Sequence, residues 1–93
     1  MITHVVLFQF ADADDAFEAR RRISSLRGRI PQIRSLAAGV DAGRNNSPWQ
    51  VALVSTHDDW DGLEAYRTHP AHVELLDWLG PRVSERAAVD FES

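Results

Sequence analysis

The first strand predicted in this sequence, Ile2–Phe10, has apolar side chains on both of its faces. Side chains alternate along a strand, so odd-numbered and even-numbered positions fall on opposite faces. The even face holds His4, Val6, Phe8 and Phe10. The odd face includes Val5 and Leu7. A strand wetted on one side would carry polar residues there, so both faces of this strand are expected to be covered.

Six further segments follow, with periodicities typical of helices and strands. They are a helix that Asp12 caps and that runs to about Arg27, strands at Ile33–Asp41 and Trp49–Thr56, helices at Asp59–Thr68 and Pro70–Leu79, and a strand at Arg82–Phe91. This order predicts an α+β fold of the ferredoxin-like β-α-β-β-α-β type, with helices on one face of a four-stranded antiparallel sheet. The other face is apolar, which favours a homodimer in which two sheets pack together as a dimeric α+β barrel.

Length and charge narrow the possible classes of function. The 93 residues suit one domain, 1–93, and the absence of cysteine excludes disulfides and thiolate zinc sites. A net charge of −4 gives no reason to expect nucleic-acid binding. The apolar start is too short to span a membrane and lacks the features of a signal peptide. We therefore expect a cytoplasmic protein with neither a nucleic-acid nor a membrane partner.

Aromatic and imidazole side chains are concentrated in the segment Trp60–Leu79. It contains two of the three tryptophans, the only tyrosine and two of the four histidines. Pro70 divides the segment, because a residue that precedes a proline is pushed out of the helical conformation. Proline is itself favourable in the first turn of a helix. We therefore expect His69 to end one helix and Pro70 to begin the next.

Helical spacing places a phenol and an imidazole on the inward sides of these two helices. In the first helix the inward positions are Trp60, Leu63 and Tyr66, and in the second they are His72, Leu75, Leu76 and Leu79. Tyr66 and His72 are thus expected to approach one interior from either side of Pro70. Both groups need partners when buried, so they either bind backbone carbonyls or form a proton-transfer pair.

Two histidine-containing segments have some features of metal sites. His57 precedes Asp58 and Asp59, and His69 lies three residues before His72. An aspartate that precedes a helix is, however, a common N-cap. Pro70 also disturbs the helical geometry that would bring the histidine pair together. We predict no metal site at either place.

Four segments together resemble the stress-responsive α/β-barrel family, which is often called Dabb. They are THVVLFQF, LRGRIPQIRSLAAGVD, DDWDGLEAYRTHPAHVELLDWL and VDFE, and they span nearly the whole chain. The most specific part is Tyr-x-x-His-Pro-x-His, here Tyr66 to His72. The resemblance implies a dimeric α+β barrel, in agreement with strands that are apolar on both faces. The antibiotic-biosynthesis monooxygenase barrels are similar in plan.

The resemblance also implies a possible activity, since some members of the family are small polyketide cyclases that need no cofactor. Their tyrosine and the second histidine of their motif match Tyr66 and His72, and their early histidine matches His4. We predict that His72 removes a proton next to a carbonyl, that Tyr66 binds the carbonyl oxygen, and that aldol ring closure follows. The predicted binding residues of a pocket for a small apolar or polyketide-like molecule are His4, Phe8, Phe10 and Leu76.

Three alternatives remain open from the sequence. The pocket could bind a small ligand without converting it, or the protein could be a structural stress-response oligomer in which Tyr66 and His72 only satisfy backbone groups. A cofactor-free monooxygenase of the related barrel family is the third alternative. A cavity of ligand size beside His72 would favour ligand binding or cyclase chemistry. Full burial of Tyr66 and His72 with no cavity beside them would favour the structural oligomer.

Overall fold

A computed structural model describes residues 1–93, and its elements follow the predicted order. The strands and helices are β1 (Ile2–Phe10), α1 (Asp15–Ser24), β2 (Ser35–Val40), β3 (Val51–His57), α2 (Trp60–Thr68), α3 (Pro70–Leu79) and β4 (Val83–Glu92). The four strands form one antiparallel sheet in the order β2-β3-β1-β4. This confirms the ferredoxin-like β-α-β-β-α-β prediction. No helix has the length and apolar character needed to cross a membrane.

The two faces of the sheet differ in what covers them. On the helix-covered face, His4 of β1 lies between Ser55 of β3 and Asp90 of β4. On the opposite face, Val5 lies between Val54 and Val89. Val89 is 62% exposed and Val54 is 38% exposed, because no helix packs there. The odd-numbered apolar side chains of β1 therefore belong to a surface that the chain itself leaves uncovered.

Helix α1 buries the row that its periodicity predicts. The buried residues of this row, which extends into the turn after the helix, are Ala16, Ala19, Ile23, Leu26 and Ile30. The predicted N-cap at Asp12 is wrong, because the helix begins at Asp15. The Asp12 carboxylate instead accepts a hydrogen bond from the backbone N–H of Asp14 at 3.0 Å. Asp12 thus stabilises the turn before the helix, a common local role of aspartate.

The break between α2 and α3 lies where Pro70 predicts it. His69 is extended, with φ −61° and ψ 137°, and its ring nitrogen Nδ1 accepts a hydrogen bond from the N–H of Ala71. At the other end of α2, the Asp59 carboxylate accepts from the N–H of Gly62 at 2.7 Å. The predicted N-cap at this helix is therefore confirmed.

The inward rows of α2 and α3 differ in part from the prediction. Leu63 and Tyr66 are buried, but Trp60 is half exposed, since a side chain in the first turn leans back toward the helix N-terminus. In α3 the fully buried row is Ala71, Leu75 and Leu79. Successive helical residues are separated by about 100°, so His72 lies about 60° from the centre of this row and Leu76 about 100°. His72 is consequently half-buried and Leu76 exposed.

Candidate functional site

The Tyr66 ring lies among three histidines from three different elements. The centroid of its ring is 4.4 Å from that of His72 on α3, 5.0 Å from that of His57 on β3 and 5.8 Å from that of His4 on β1. The two strands place imidazoles beneath Tyr66 because His4 and His57 both point toward the helices. The break at Pro70 brings His72 beside the same ring.

A cavity of about 250 Å³ opens beside this cluster, between the sheet and the helix pair. Its apolar wall consists of Val6, Phe8, Leu53, Leu75, Leu76 and Leu79. The polar side chains that line it are His4, Tyr66, Arg67, His72 and Arg86. A mostly apolar cavity with a few convergent polar groups is typical of small-molecule sites.

The Tyr66 hydroxyl group is buried and has no hydrogen-bond partner. Burial raises the pKa of the phenol to about 12, although the positive charges of Arg86 and Arg67 act in the opposite direction. The phenol therefore keeps its proton at neutral pH. Leaving a buried polar group unpaired costs about 1–3 kcal/mol, so a ligand oxygen that accepts from Tyr66 would recover this energy.

His72 has a defined tautomer in its neutral form. Its Nδ1–H donates to the backbone carbonyl oxygen of Arg67 at 2.9 Å, and a carbonyl oxygen can only accept. Nε2 then carries the lone pair. Burial lowers the pKa of His72 below its ordinary value of 6.5, although the hydrogen bond to the Arg67 carbonyl favours the protonated form. The neutral imidazole, which is the form that accepts a proton, therefore predominates at pH 7.

His4 is held by a carboxylate that the sequence did not single out. The Asp90 carboxylate accepts from Nδ1–H of His4 and, through its second oxygen, from the guanidinium of Arg67 at 2.8 Å. Arg67 thus contacts Asp90 with its side chain and His72 with its backbone carbonyl. One residue links the two histidines that line the cavity.

His57 is engaged within the protein. Its Nδ1–H donates to the carbonyl oxygen of Gln32, and its Nε2 accepts from the hydroxyl of Ser55, both at 2.9 Å. Burial lowers the pKa of His57, and the hydrogen bond to Gln32 only partly offsets this effect. With both ring nitrogens paired and no place in the cavity wall, His57 supports the Tyr66 ring from below.

Of the predicted binding residues, His4, Phe8 and Leu76 line the cavity together with Tyr66 and His72. Phe10, the fourth predicted binding residue, lies outside the wall of this cavity. It follows a break in the β1–β4 register between Gln9 and Phe10, at the end of the strand, and its ring packs near that of Phe8.

The residues considered as metal ligands have other roles. Asp58 pairs with Arg34 at 2.6 Å, Asp59 caps α2, and His69 accepts from the backbone of α3. No group of three or more potential metal ligands comes together anywhere in residues 1–93. The cap at Asp59 and the ion pair at Asp58 thus account for the two carboxylates.

The lowered pKa values of His57 and His72 predict that acid destabilises the fold. An unfolded histidine titrates near 6.5, so between that pH and the lower folded pKa values the unfolded chain binds more protons. The free energy of unfolding should therefore fall as the pH falls below about 6.5 toward the folded pKa values. Urea unfolding across this range measures the slope, and His57→Gln should make it shallower. An equal slope in this variant would contradict the prediction.

The known proteins that are similar to this chain have the same ferredoxin-like fold. The model of the stress responsive A/B barrel domain matches residues 2–93. A dimeric ferredoxin-like protein of unknown function from Thermobifida fusca is 32% identical, with a TM-score of 0.88, covering 99% of this chain and 90% of that one. A dimeric protein of unknown function with a ferredoxin-like fold from Bacteroides fragilis is 29% identical, with a TM-score of 0.88 and coverages of 99% and 95%.

More distant structures share the fold alone. The hydroxynitrile lyase from Passiflora edulis is 13% identical, with a TM-score of 0.81, covering 97% of this chain and 90% of that one. An antibiotic biosynthesis monooxygenase is 11% identical, with a TM-score of 0.80 and coverages of 100% and 98%. No curated protein matches the chain at a significant level. Since one fold hosts such different activities, the function has to be argued from the site.

Proposed function

The chain belongs to the stress responsive A/B barrel domain family, and we propose that its cavity binds a small, mostly apolar carbonyl compound and moves a proton on it. The observation that carries this proposal is the buried, unpartnered hydroxyl of Tyr66, whose ring packs against that of His72. A neutral phenol that has no acceptor in the protein is suited to bind a carbonyl oxygen. A neutral imidazole beside it is suited to take the neighbouring proton.

The first step is removal of a proton from the carbon next to the carbonyl. The lone pair on Nε2 of His72 takes the proton, and the electrons of the broken C–H bond move into the enolate. The hydroxyl of Tyr66 donates to the enolate oxygen, where the negative charge develops. The phenol has a pKa of about 12, so it stays protonated and acts as a hydrogen-bond donor.

A ligand with a second carbonyl group allows ring closure. The enolate carbon forms a bond to the second carbonyl carbon, whose oxygen becomes an alkoxide. The alkoxide then takes the proton that His72 holds, which returns the imidazole to its neutral form. This sequence is an intramolecular aldol addition, as in the closure of polyketide rings, and it uses no group beyond the side chains of this chain.

We also propose that the chain forms a homodimer through the helix-free face of its sheet. The apolar row formed by Val54, Val5 and Val89 crosses three neighbouring strands of that face. The related proteins from Thermobifida fusca and Bacteroides fragilis are dimeric. Two such faces packed about a two-fold axis would cover each other and form the barrel.

The test of proton transfer uses 4-phenylbutan-2-one in D₂O, because exchange of its α-protons for deuterium can be followed by proton NMR. Ring closure is followed on poly-β-keto thioesters of increasing length. We expect the wild type to accelerate both reactions and Tyr66→Phe to be slower by about 10²–10³-fold, the usual cost of losing one oxyanion donor.

Tyr66→Phe is a clean variant because the hydroxyl makes no hydrogen bond within the protein, so its removal leaves every internal contact of the ring in place. Equal rates for Tyr66→Phe and wild type would contradict the assignment of the phenol. Binding of the ketone without any exchange in the wild type would identify a ligand-binding protein in place of an enzyme.

A further inference from the structure

The charges around the cavity are of one sign. Its eleven lining residues include two arginines, Arg67 and Arg86, and no aspartate or glutamate. The chain as a whole has a net charge of −4, so this local excess of positive charge does not follow from the composition. Both arginines are exposed to solvent, and their positive charge attracts an anion to the cavity.

The two arginines differ in their partners. Arg67 pairs with Asp90, which also accepts from His4, so its charge is largely compensated inside the protein. The guanidinium of Arg86, by contrast, forms neither an ion pair nor a hydrogen bond with another residue of the chain, although its backbone pairs with β1. Its guanidinium therefore keeps all of its donors available at the cavity wall.

Arg86 lines the same cavity as the reacting groups Tyr66 and His72. It lies on β4 opposite Phe8 of β1, and it shares the helix-facing side of β4 with Asp90, four residues further on. Its positive charge acts on both Tyr66 and His72: it partly opposes the burial that raises the pKa of Tyr66, and it adds to the burial that lowers the pKa of His72. The cation and the proton-transfer pair thus belong to the same cavity.

We propose that the ligand of this cavity carries a carboxylate that Arg86 binds, and that the substrate class is a small oxo acid with an apolar body. This inference rests on the proposed function, because it places the ketone oxygen at Tyr66 and the acid group at Arg86. A planar guanidinium matches a carboxylate through two parallel hydrogen bonds. The cavity of about 250 Å³ is below the range of roughly 300–1,000 Å³ of drug-sized sites, which limits the ligand to a small molecule.

The test compares binding of 3-phenylpropanoate with that of 3-phenylpropanamide, which has nearly the same shape and no charge. Dissociation constants are measured by NMR titration at low and at physiological salt. We expect the acid to bind the wild type at least tenfold more tightly than the amide. Arg86→Gln should bring the ratio to within about twofold, and higher salt should reduce it in the wild type.

Arg44→Gln is the matched control, because it removes the same charge from the exposed loop between β2 and β3, outside the cavity wall. This control should keep the wild-type ratio. Circular dichroism melting curves verify that both variants are folded. Equal binding of acid and amide by the wild type, no binding of either, or an unchanged ratio in Arg86→Gln would each overturn the proposal.

Equilibrium binding requires no turnover, so this experiment is independent of the proton-transfer assay. A wild type that prefers the acid but exchanges no protons would support the role of Arg86 and contradict the proposed catalysis. A wild type that exchanges the protons of the ketone but does not prefer the acid would support the proposed catalysis and contradict the role of Arg86.

Discussion

Replacing His72 by alanine is expected to lower kcat/KM for α-proton exchange and ring closure by about 10²–10⁴-fold, the contribution that a positioned general base usually makes. The variant removes an imidazole whose tautomer is fixed by the Arg67 carbonyl and whose ring lies 4.4 Å from that of Tyr66 in the cavity wall. It leaves Tyr66 able to donate to the ligand oxygen. The remaining rate should therefore reflect binding and oxyanion stabilisation without a base.

His69→Ala is the matched control for this variant. His69 lies three residues earlier, caps α3 through its ring nitrogen and does not line the cavity. Its loss should reduce the free energy of unfolding by about 0.5–2 kcal/mol, the usual cost of a lost N-cap, and leave kcat/KM nearly unchanged. Comparable activity losses in the two variants would indicate that His72 acts through the stability of α3.

Two further measurements separate a base from a structural residue. Added imidazole should restore part of the activity of His72→Ala, because the truncated side chain leaves room in the cavity. In the wild type, kcat/KM should decrease at a pH below 6.5, since protonation of His72 removes its lone pair and burial holds its pKa below that value. A rate that imidazole does not restore, together with a pH profile without this decrease, would contradict the role of base.

Local sequence patterns were sufficient to predict much of this fold. Periodicity and turn chemistry describe interactions between neighbours within a few residues well. The features that depend on such neighbours are the buried row of α1, the break at Pro70 and the strands that are apolar on both faces. The same patterns place Tyr66 and His72 on either side of the break, and the structure has both in one cavity wall.

Other features depend on contacts between distant parts of the chain. Asp90 contacts His4 across 86 positions of sequence, and Arg86 enters the cavity because β4 pairs with β1 in one particular register. A single sequence contains no signal for that register beyond the alternation of β4. Phe10 shares the face of β1 that carries His4 and Phe8, so the alternation of β1 alone does not show that it lies outside the cavity wall.

A second large effect is expected from Val89→Glu on the helix-free face of the sheet. Val89 is 62% exposed in the isolated chain, so the substitution should disturb the fold of one chain little. In the proposed homodimer the same position is covered by a second sheet. A carboxylate buried there without a partner costs several kcal/mol, and a two-fold axis introduces two of them.

The expected result is dissociation of the dimer. Each 1.4 kcal/mol corresponds to a tenfold change in the dissociation constant, so Val89→Glu should raise that constant by at least about 100-fold. Light scattering during size-exclusion chromatography, repeated over a range of concentrations, measures the mass. The wild type should elute at twice the chain mass of 10.5 kDa and the variant near the single mass.

Val73→Glu provides the control, because it introduces the same charge at a valine that is 44% exposed on α3, on the helical side of the molecule. This variant should remain dimeric, since that helix would lie on the outside of a barrel built from two sheets. The barrel arrangement therefore predicts dissociation for only one of two chemically identical substitutions. A dimeric Val89→Glu protein, or a monomeric wild type, would place the contact between chains elsewhere and leave the apolar row of Val54, Val5 and Val89 without the cover that we propose for it.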